Sequence, residues 1–330
     1  MAFPAALTRN VFLSAARETL VNSLSFIGRT RMADIDFHQV VHLSRVRLNM
    51  ASPQSVSMNC LELSGGRLNC ERSYELPGFS LLVSSRTHGA LEHGGGEVHY
   101  LSSCASGRIT RLILSDICGQ RQTFREISTV MRDGLLQHIN SLWQGNLVKQ
   151  LHQQLESFAE TGGFASASLC TFFAPTRSFT MCSLGNPPPI WFDSQQRTWK
   201  RLSPLPRRSV SVPKNGAAAG VYQLDEYQHF QQKTRPGDLL LVYGNGFSES
   251  RFADGTLAGG SELLYRLQAM KDVEGIASIE PLISEIQRGG LSGDSTVIIA
   301  EANRRVATIR NTLLAPIRML RSPRDCSSVE

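Results

Sequence analysis

Arg235-Pro-Gly-Asp-Leu-Leu-Leu-Val-Tyr-Gly-Asn-Gly-Phe-Ser-Glu249 is the stretch on which the fold turns. A Pro-Gly-Asp turn signal opens it, an unbroken apolar run follows from Leu239 to Tyr243, and Gly244-Asn245-Gly246 closes it. A short apolar run bounded by turn formers reads as a buried strand. Three other places also set a polar or acidic residue beside glycine at the end of an apolar run. They are Gly94-Gly-Gly-Glu97, Leu114-Ser-Asp-Ile-Cys-Gly119 and Leu291-Ser-Gly-Asp-Ser-Thr296. Taken alone, an Asp or Asn next to Gly is usually just a turn former. Carboxylates held at strand ends by tight turns are also what hard cations need, because Mg²⁺ and Mn²⁺ prefer oxygen ligands and keep several waters. Two such ions about 3.5–4 Å apart activate water and clamp a phosphoryl group.

Around these places the strand signals come in two groups. The first runs from Ser57–Leu63 through Phe79–Ser84 and Glu97–Leu101 to Ile109–Ile117, with Gly and Ser clusters between, as in antiparallel neighbours joined by turns. The second comprises 165–173, 178–183, 189–192, 238–243 and 295–300. Between the groups, Leu135, Leu136, Ile139, Leu142, Leu147, Leu151, Leu155 and Phe158 recur at three- and four-residue steps, which predicts helix over Thr123–Ala159 with a break at Gly145. A second helical region is expected from Gly259 to Gln287, and a loop-rich insert from Ser203 to Gly220. Strands, helices, strands, helices, strand is an α+β order, in which two sheets pack face to face under helical layers.

The four places fall in an order that resembles the SpoIIE-like branch of the PPM-type metal-dependent serine/threonine phosphatases. Gly95-Gly-Glu-Val-His-Tyr100 and Arg111-Leu-Ile-Leu-Ser-Asp-Ile-Cys-Gly119 resemble the family's G-G-D and G-D-V-x-G-H-G. Phe164-Ala-Ser-Ala167 and Cys182-Ser-Leu-Gly-Asn-Pro-Pro-Pro189 resemble F-A-T-A and N-A-G-H-P-P-P. The opening stretch resembles L-x-x-G-D-x-L-x-x-Y-T-D-G-x-x-E, and Gly293-Asp-Ser-Thr296 stands where the family has D-D-x-T. The likeness runs from about residue 57 to 300 and implies a four-layer α/β/β/α sandwich of two antiparallel sheets flanked by helices. Domain limits follow: a helical or partner segment over 1–50, the phosphatase domain over 51–302, and a basic tail over 303–330.

What the resemblance implies for the site is a Mn²⁺ or Mg²⁺ centre, two ions in the family, reduced to one or none if the ligands are depleted. Glu97, Asp116, Asn245 and Asp294 would be the ligands, with Asp116 central to catalysis. Several positions depart from the pattern. Glu97 replaces an Asp, Gly119-Gln-Arg121 replaces G-H-G, and Asn245 replaces a charged ligand with a neutral amide that offers a carbonyl oxygen. In the last motif, alignment on Thr296 puts Gly293 at the ligand position, and a one-residue shift restores Asp294. Two functions stay open: a phosphatase acting on phosphoserine or phosphothreonine in a signalling or partner-switching protein, and a pseudophosphatase that keeps the fold and binds a signalling partner without turnover.

Composition excludes other classes. With 41% hydrophobic and 19% charged residues the chain is globular in character, and no apolar run reaches the roughly 18 residues of a membrane span. Seven cysteines without C-x-x-C pairing point to reduced thiols, a cytoplasmic setting and no zinc module. Residues 1 to 28 read as an amphipathic helix rather than a signal peptide, because Arg17-Glu18 interrupts the apolar stretch. Net charge is +6, and the six arginines from Arg304 to Arg324 contribute heavily. That tail reads as a solvated helix and a frayed end rather than a nucleic-acid contact. No phosphate loop or dinucleotide fingerprint occurs, His38 and His42 lack the Glu of a zinc protease motif, and His88, His93 and His99 read as a loop cluster. Cys118 has no neighbouring base that would make it a nucleophile.

Overall fold

The computed structural model describes residues 54–56, 58–88, 95–206, 227–289, 291 and 293–328. The expected segment over 1–50 and most of the expected insert over 203–220 therefore lie outside the described residues.

Among the described residues, fourteen strands form two seven-stranded sheets. The first sheet holds β1 (Gln54–Val56), β3 (Cys70–Leu76), β4 (Phe79–Arg86), β13 (Ser295–Ala302), β12 (Leu239–Tyr243), β9 (Ile190–Asp193) and β10 (Thr198–Arg201), in that spatial order. The second holds β11 (Gln228–Lys233), β8 (Ser178–Leu184), β7 (Phe164–Phe173), β6 (Ile109–Cys118), β5 (Gly96–Ser103), β2 (Glu62–Gly66) and β14 (Arg324–Ser328). Helices α1 (Arg121–Gln137) and α2 (Gln144–Ala159) cover the second sheet. Beyond a short helix α3 (Asn245–Glu249), helices α4 (Gly260–Ala269) and α5 (Glu280–Arg288) cover the first. A last helix, α6 (Ile309–Met319), precedes β14.

The unbroken apolar run of β12 follows from this layering. Leu240 and Val242 point between the sheets with Leu112, Leu114, Ile298 and Ala300, while Leu239, Leu241 and Tyr243 point at α4 and α5. A strand buried on both faces has no polar face to alternate. Each such side chain withdrawn from water contributes about 1.5–3 kcal/mol, so the central strands carry much of the stability.

The four-layer sandwich is the one expected, with corrections in its detail. Both sheets are mixed, because edge strands β1 and β14 pair in parallel with β3 and β2. Strands interleave between the sheets: β4 and β5 are consecutive yet lie in different sheets, and β13 pairs with β4 across more than two hundred residues. The helical stretch breaks at 138–143, not at Gly145, which sits in the first turn of α2. The buried Arg111 guanidinium donates to the Ile139 carbonyl (3.4 Å) and to those of His138 (2.9 Å) and Ser141, holding that break against the sheet. The basic tail is not a frayed end over its described part. Thr308 caps α6, Ala315 packs on Leu61, Ala105 and Ile139, and β14 completes the second sheet's edge.

Candidate active site

Between the sheets the packing is apolar over most of its length and polar at one end. Along β5 the side chains facing the other sheet run from Leu101 to Glu97, and along β6 from Leu112 and Leu114 to Asp116. Across the gap, the strand ends carry Ser85, Thr296 and Gly244, and Ser85 Oγ and Thr296 Oγ1 share a hydrogen bond of 2.8 Å. This polar end collects the four residues marked out by the sequence: Glu97, Asp116, Asn245 and Asp294.

Glu97 and Asp116 are direct antiparallel partners, so their side chains project on the same face. Glu97 is buried, and its Oε1 accepts the Gly246 main-chain N–H at 3.0 Å. Its Oε2 is buried without a hydrogen-bond partner. Burial, and after it the charge of Asp116, holds the Glu97 carboxyl well above the usual carboxylate range. Asp116 is half-buried, and burial followed by the charge of Glu249 pushes it up to about 6, against the pull of a hydrogen bond from Asn245. Asn245 thus enters as a donor: its Nδ2 also lies 3.3 Å from Ser166 Oγ and 3.5 Å from the Gly185 carbonyl. A carbonyl ligand at this position needs the amide turned the other way.

Gly244 and Gly246 are required by this crowding. A Cβ on Gly244 would lie 2.1 Å from Glu97 Oε1, and one on Gly246 would lie 1.8 Å from the Asp294 carbonyl oxygen. The glycines on either side of Asn245 let the turn reach across to the other sheet.

Asp294 faces a different partner. Arg67, in the turn after β2, donates from Nε to Oδ2 at 2.7 Å and from Nη2 to Oδ1 at 3.0 Å. The His88 N–H donates to Oδ1 at 2.7 Å and the Glu97 N–H to Oδ2 at 3.2 Å. Both side chains are buried, with 7% and 5% exposure for Arg67 and Asp294.

Sequence reading missed Arg67 and two other participants. Glu249, the last residue of the opening stretch, is exposed at the mouth and acts on Asp116. Asn186, in the Gly-Asn-Pro-Pro-Pro segment, is buried beneath it. It accepts from Ser166 Oγ at 2.6 Å and donates to the Leu114 carbonyl at 3.1 Å and to Ser168 Oγ at 3.2 Å, bracing β6, β7 and β8 under Asp116. The acidic residue that closed a motif and the asparagine before three prolines were the available signals; Arg67 had none beyond two preceding glycines.

Among the described residues no three Asp, Glu, His or Cys side chains converge as a ready-made metal cage. A hard cation that keeps its waters needs only one or two carboxylates. The like-charged Glu97–Asp116 pair, with one buried oxygen unpartnered, fits such an ion.

Residues 110–303 match the family model described as Stage II sporulation protein E. The chain belongs to the SpoIIE family. Solved structures agree on the fold of this SpoIIE-family chain. RsbX in complex with magnesium is 16% identical, with a TM-score of 0.52 over 71% of this chain and 100% of that one. The PP2C phosphatase domain and a regulatory-domain fragment of SpoIIE from Bacillus subtilis are 13% identical, with a TM-score of 0.52 over 91% of both chains. The RsbU and RsbW domains of Rv1364c from Mycobacterium tuberculosis are 18% identical, with a TM-score of 0.50 over 74% of this chain and 68% of that one. No curated protein sequence matches the chain. This is therefore a SpoIIE-type, PP2C-like phosphatase domain. No helix among the described residues is long and apolar enough to cross a membrane.

Proposed function

We propose that the chain is a phosphoprotein phosphatase that hydrolyses phosphoserine or phosphothreonine with a divalent cation, Mn²⁺ or Mg²⁺, in a cytoplasmic signalling or partner-switching pathway. The observation that carries this reading is the Glu97–Asp116 pair. Two carboxylates directly opposite on adjacent strands repel each other, and a buried carboxylate oxygen without a partner is costly. A cation removes both costs. Likeness to RsbX with magnesium and to an RsbU domain supports the choice of metal and of pathway, and seven free thiols support the compartment.

In this reading Asp116, half-buried and open to the mouth, holds the cation and Glu97 closes the site from beneath. The bound ion supplies Lewis acidity to a phosphoryl group and to water. Asn245 positions the Asp116 carboxylate through a hydrogen bond, Ser166 Oγ accepts from Asn245, and Asn186 fixes Ser166. Glu249 adds negative charge at the rim, which draws in a cation and turns away free anions.

The test is hydrolysis of an aryl phosphate and of a phosphoserine peptide by purified protein with Mn²⁺. Turnover that requires the metal and disappears in Asp116→Asn upholds the proposal. Absence of turnover together with no Mn²⁺ binding at millimolar concentration defeats it in favour of a pseudophosphatase, the reading that the neutral Asn245 favours.

A further inference from the structure

The Asp294 carboxylate is already saturated. An ionised carboxylate has about four acceptor positions on its two oxygens. Here four N–H groups take them: Arg67 Nη2 and the His88 amide on Oδ1, Arg67 Nε and the Glu97 amide on Oδ2. The guanidinium also sets a positive charge against the carboxylate, in a bidentate geometry that fixes its orientation. Packing locks the pair in place. A Cβ on Gly96 would lie 2.6 Å from Asp294 Oδ2 and 2.9 Å from Arg67 Nε, so the backbone of β5 is pressed against it.

We infer that Arg67 stands where a second cation would otherwise sit, so that this centre takes one divalent ion and Asp294 is not a ligand. This rests on the metal-dependent reading above and deepens it. The opposite end of the same site points the same way. Asn245 brings no charge and turns its amide nitrogen towards Ser166, so the carboxylates left to meet an ion are Glu97 and Asp116, with Glu249 beside them at the mouth. Arg67 gives the site a fixed positive charge that no chelator removes, and it holds Asp294, the Glu97 amide and the His88 amide in one arrangement with or without metal. The two-ion requirement of the related architecture becomes one ion plus one side chain.

The experiment counts Mn²⁺ per full-length chain, by equilibrium dialysis with paramagnetic resonance of the bound ion, in wild type, Arg67→Met and Arg67→Met/Asp294→Asn. The expected result is one site in the wild type, with the spectrum of an isolated ion. Arg67→Met gains one further site, because its Asp294 is released, and the double variant returns to the wild-type count. Two sites in the wild type, or equal counts in wild type and Arg67→Met, overturn the inference. No site in the wild type and one in Arg67→Met would sink the metal-dependent phosphatase while leaving the role of Arg67 standing. Should Arg67→Met fold only with help, recovery of its folded signal on adding Mn²⁺ supports the inference, and failure of Mn²⁺ to recover it counts against it.

Discussion

Glu97 Oε1 lies 3.0 Å from the Gly246 nitrogen, and this hydrogen bond ties β5 of one sheet to the turn that follows β12 of the other. The clasp exists only because Gly244 has no side chain, since a Cβ there would sit 2.1 Å from the same oxygen. Gly244→Ala is expected to push Glu97 out of register, at a cost of about 1–3 kcal/mol in unfolding free energy, and to lower Mn²⁺-dependent turnover. Gly145→Ala serves as the control. Nothing lies within 4 Å of its Cβ position in α2, so a gain of about 0.5 kcal/mol is expected. A denaturation midpoint for Gly244→Ala equal to the wild type's would mean that the clasp gives way without strain.

The thiols should separate by burial. Cys170 and Cys182 point into the two cores, and burial pushes both up to about 12. At pH 8 the thiolate, which is the reactive form, is then about one part in ten thousand. Cys326 is exposed on the edge strand β14. Alkylation of native protein at pH 8 is expected to label Cys326 first, and Cys170 and Cys182 only after unfolding. Early labelling of Cys170 by mass spectrometry would show that the sheets part far more readily than their packing implies.

The central strands were legible in the sequence because burial on both faces leaves a continuous apolar run, as in Leu239–Tyr243. Strand β14 was not, because Arg324-Asp-Cys-Ser-Ser328 is a polar edge whose partner lies about 260 residues upstream at Glu62–Gly66. Sheet membership was hidden for a similar reason: chain neighbours such as β4 and β5 part company, and no local pattern records that. In the site, strand-end glycines marked Glu97, Asp116, Asn245 and Asp294. Which side chains each of them meets is a matter of tertiary pairing, and the Arg67–Asp294 contact spans 227 residues.

His99 makes the metal-free fold sensitive to acid. It lies on the β5 face that carries Glu97, is buried, and neither ring nitrogen has a partner. Burial, with the Arg72 guanidinium of β3 adding to it, lowers it from 6.5 to about 4. Between these values the unfolded chain takes up a proton that the folded one refuses, so stability is full above pH 6.5 and is lost as pH falls towards 4. The loss is about 3 kcal/mol at most, since a tenfold difference in proton affinity between the folded and unfolded chain corresponds to about 1.4 kcal/mol. Urea midpoints measured from pH 7.5 to 4.5 should fall less steeply in His99→Leu than in wild type. Parallel curves for the two proteins would assign the acid sensitivity to carboxylates instead.

Asn245→Asp offers the sharpest reading of the centre. The amide now places Nδ2 against Ser166 Oγ and the Gly185 carbonyl and donates to Asp116. A carboxylate there sets an oxygen against the Gly185 oxygen and a second negative charge beside Asp116. Unit charges about 4 Å apart interact by about 1 kcal/mol in water and about 4 kcal/mol at an effective permittivity of about 20. Without metal the variant should therefore be less stable than wild type by about 1–2 kcal/mol, and the same charge should raise Mn²⁺ affinity about tenfold or more, because a divalent ion meets it with twice the charge. Calorimetric titration with Mn²⁺ and melting curves with and without the ion read the two effects separately. Destabilisation with unchanged Mn²⁺ affinity would mean that the ion binds too far from residue 245 to feel it, and would move the centre away from Asp116.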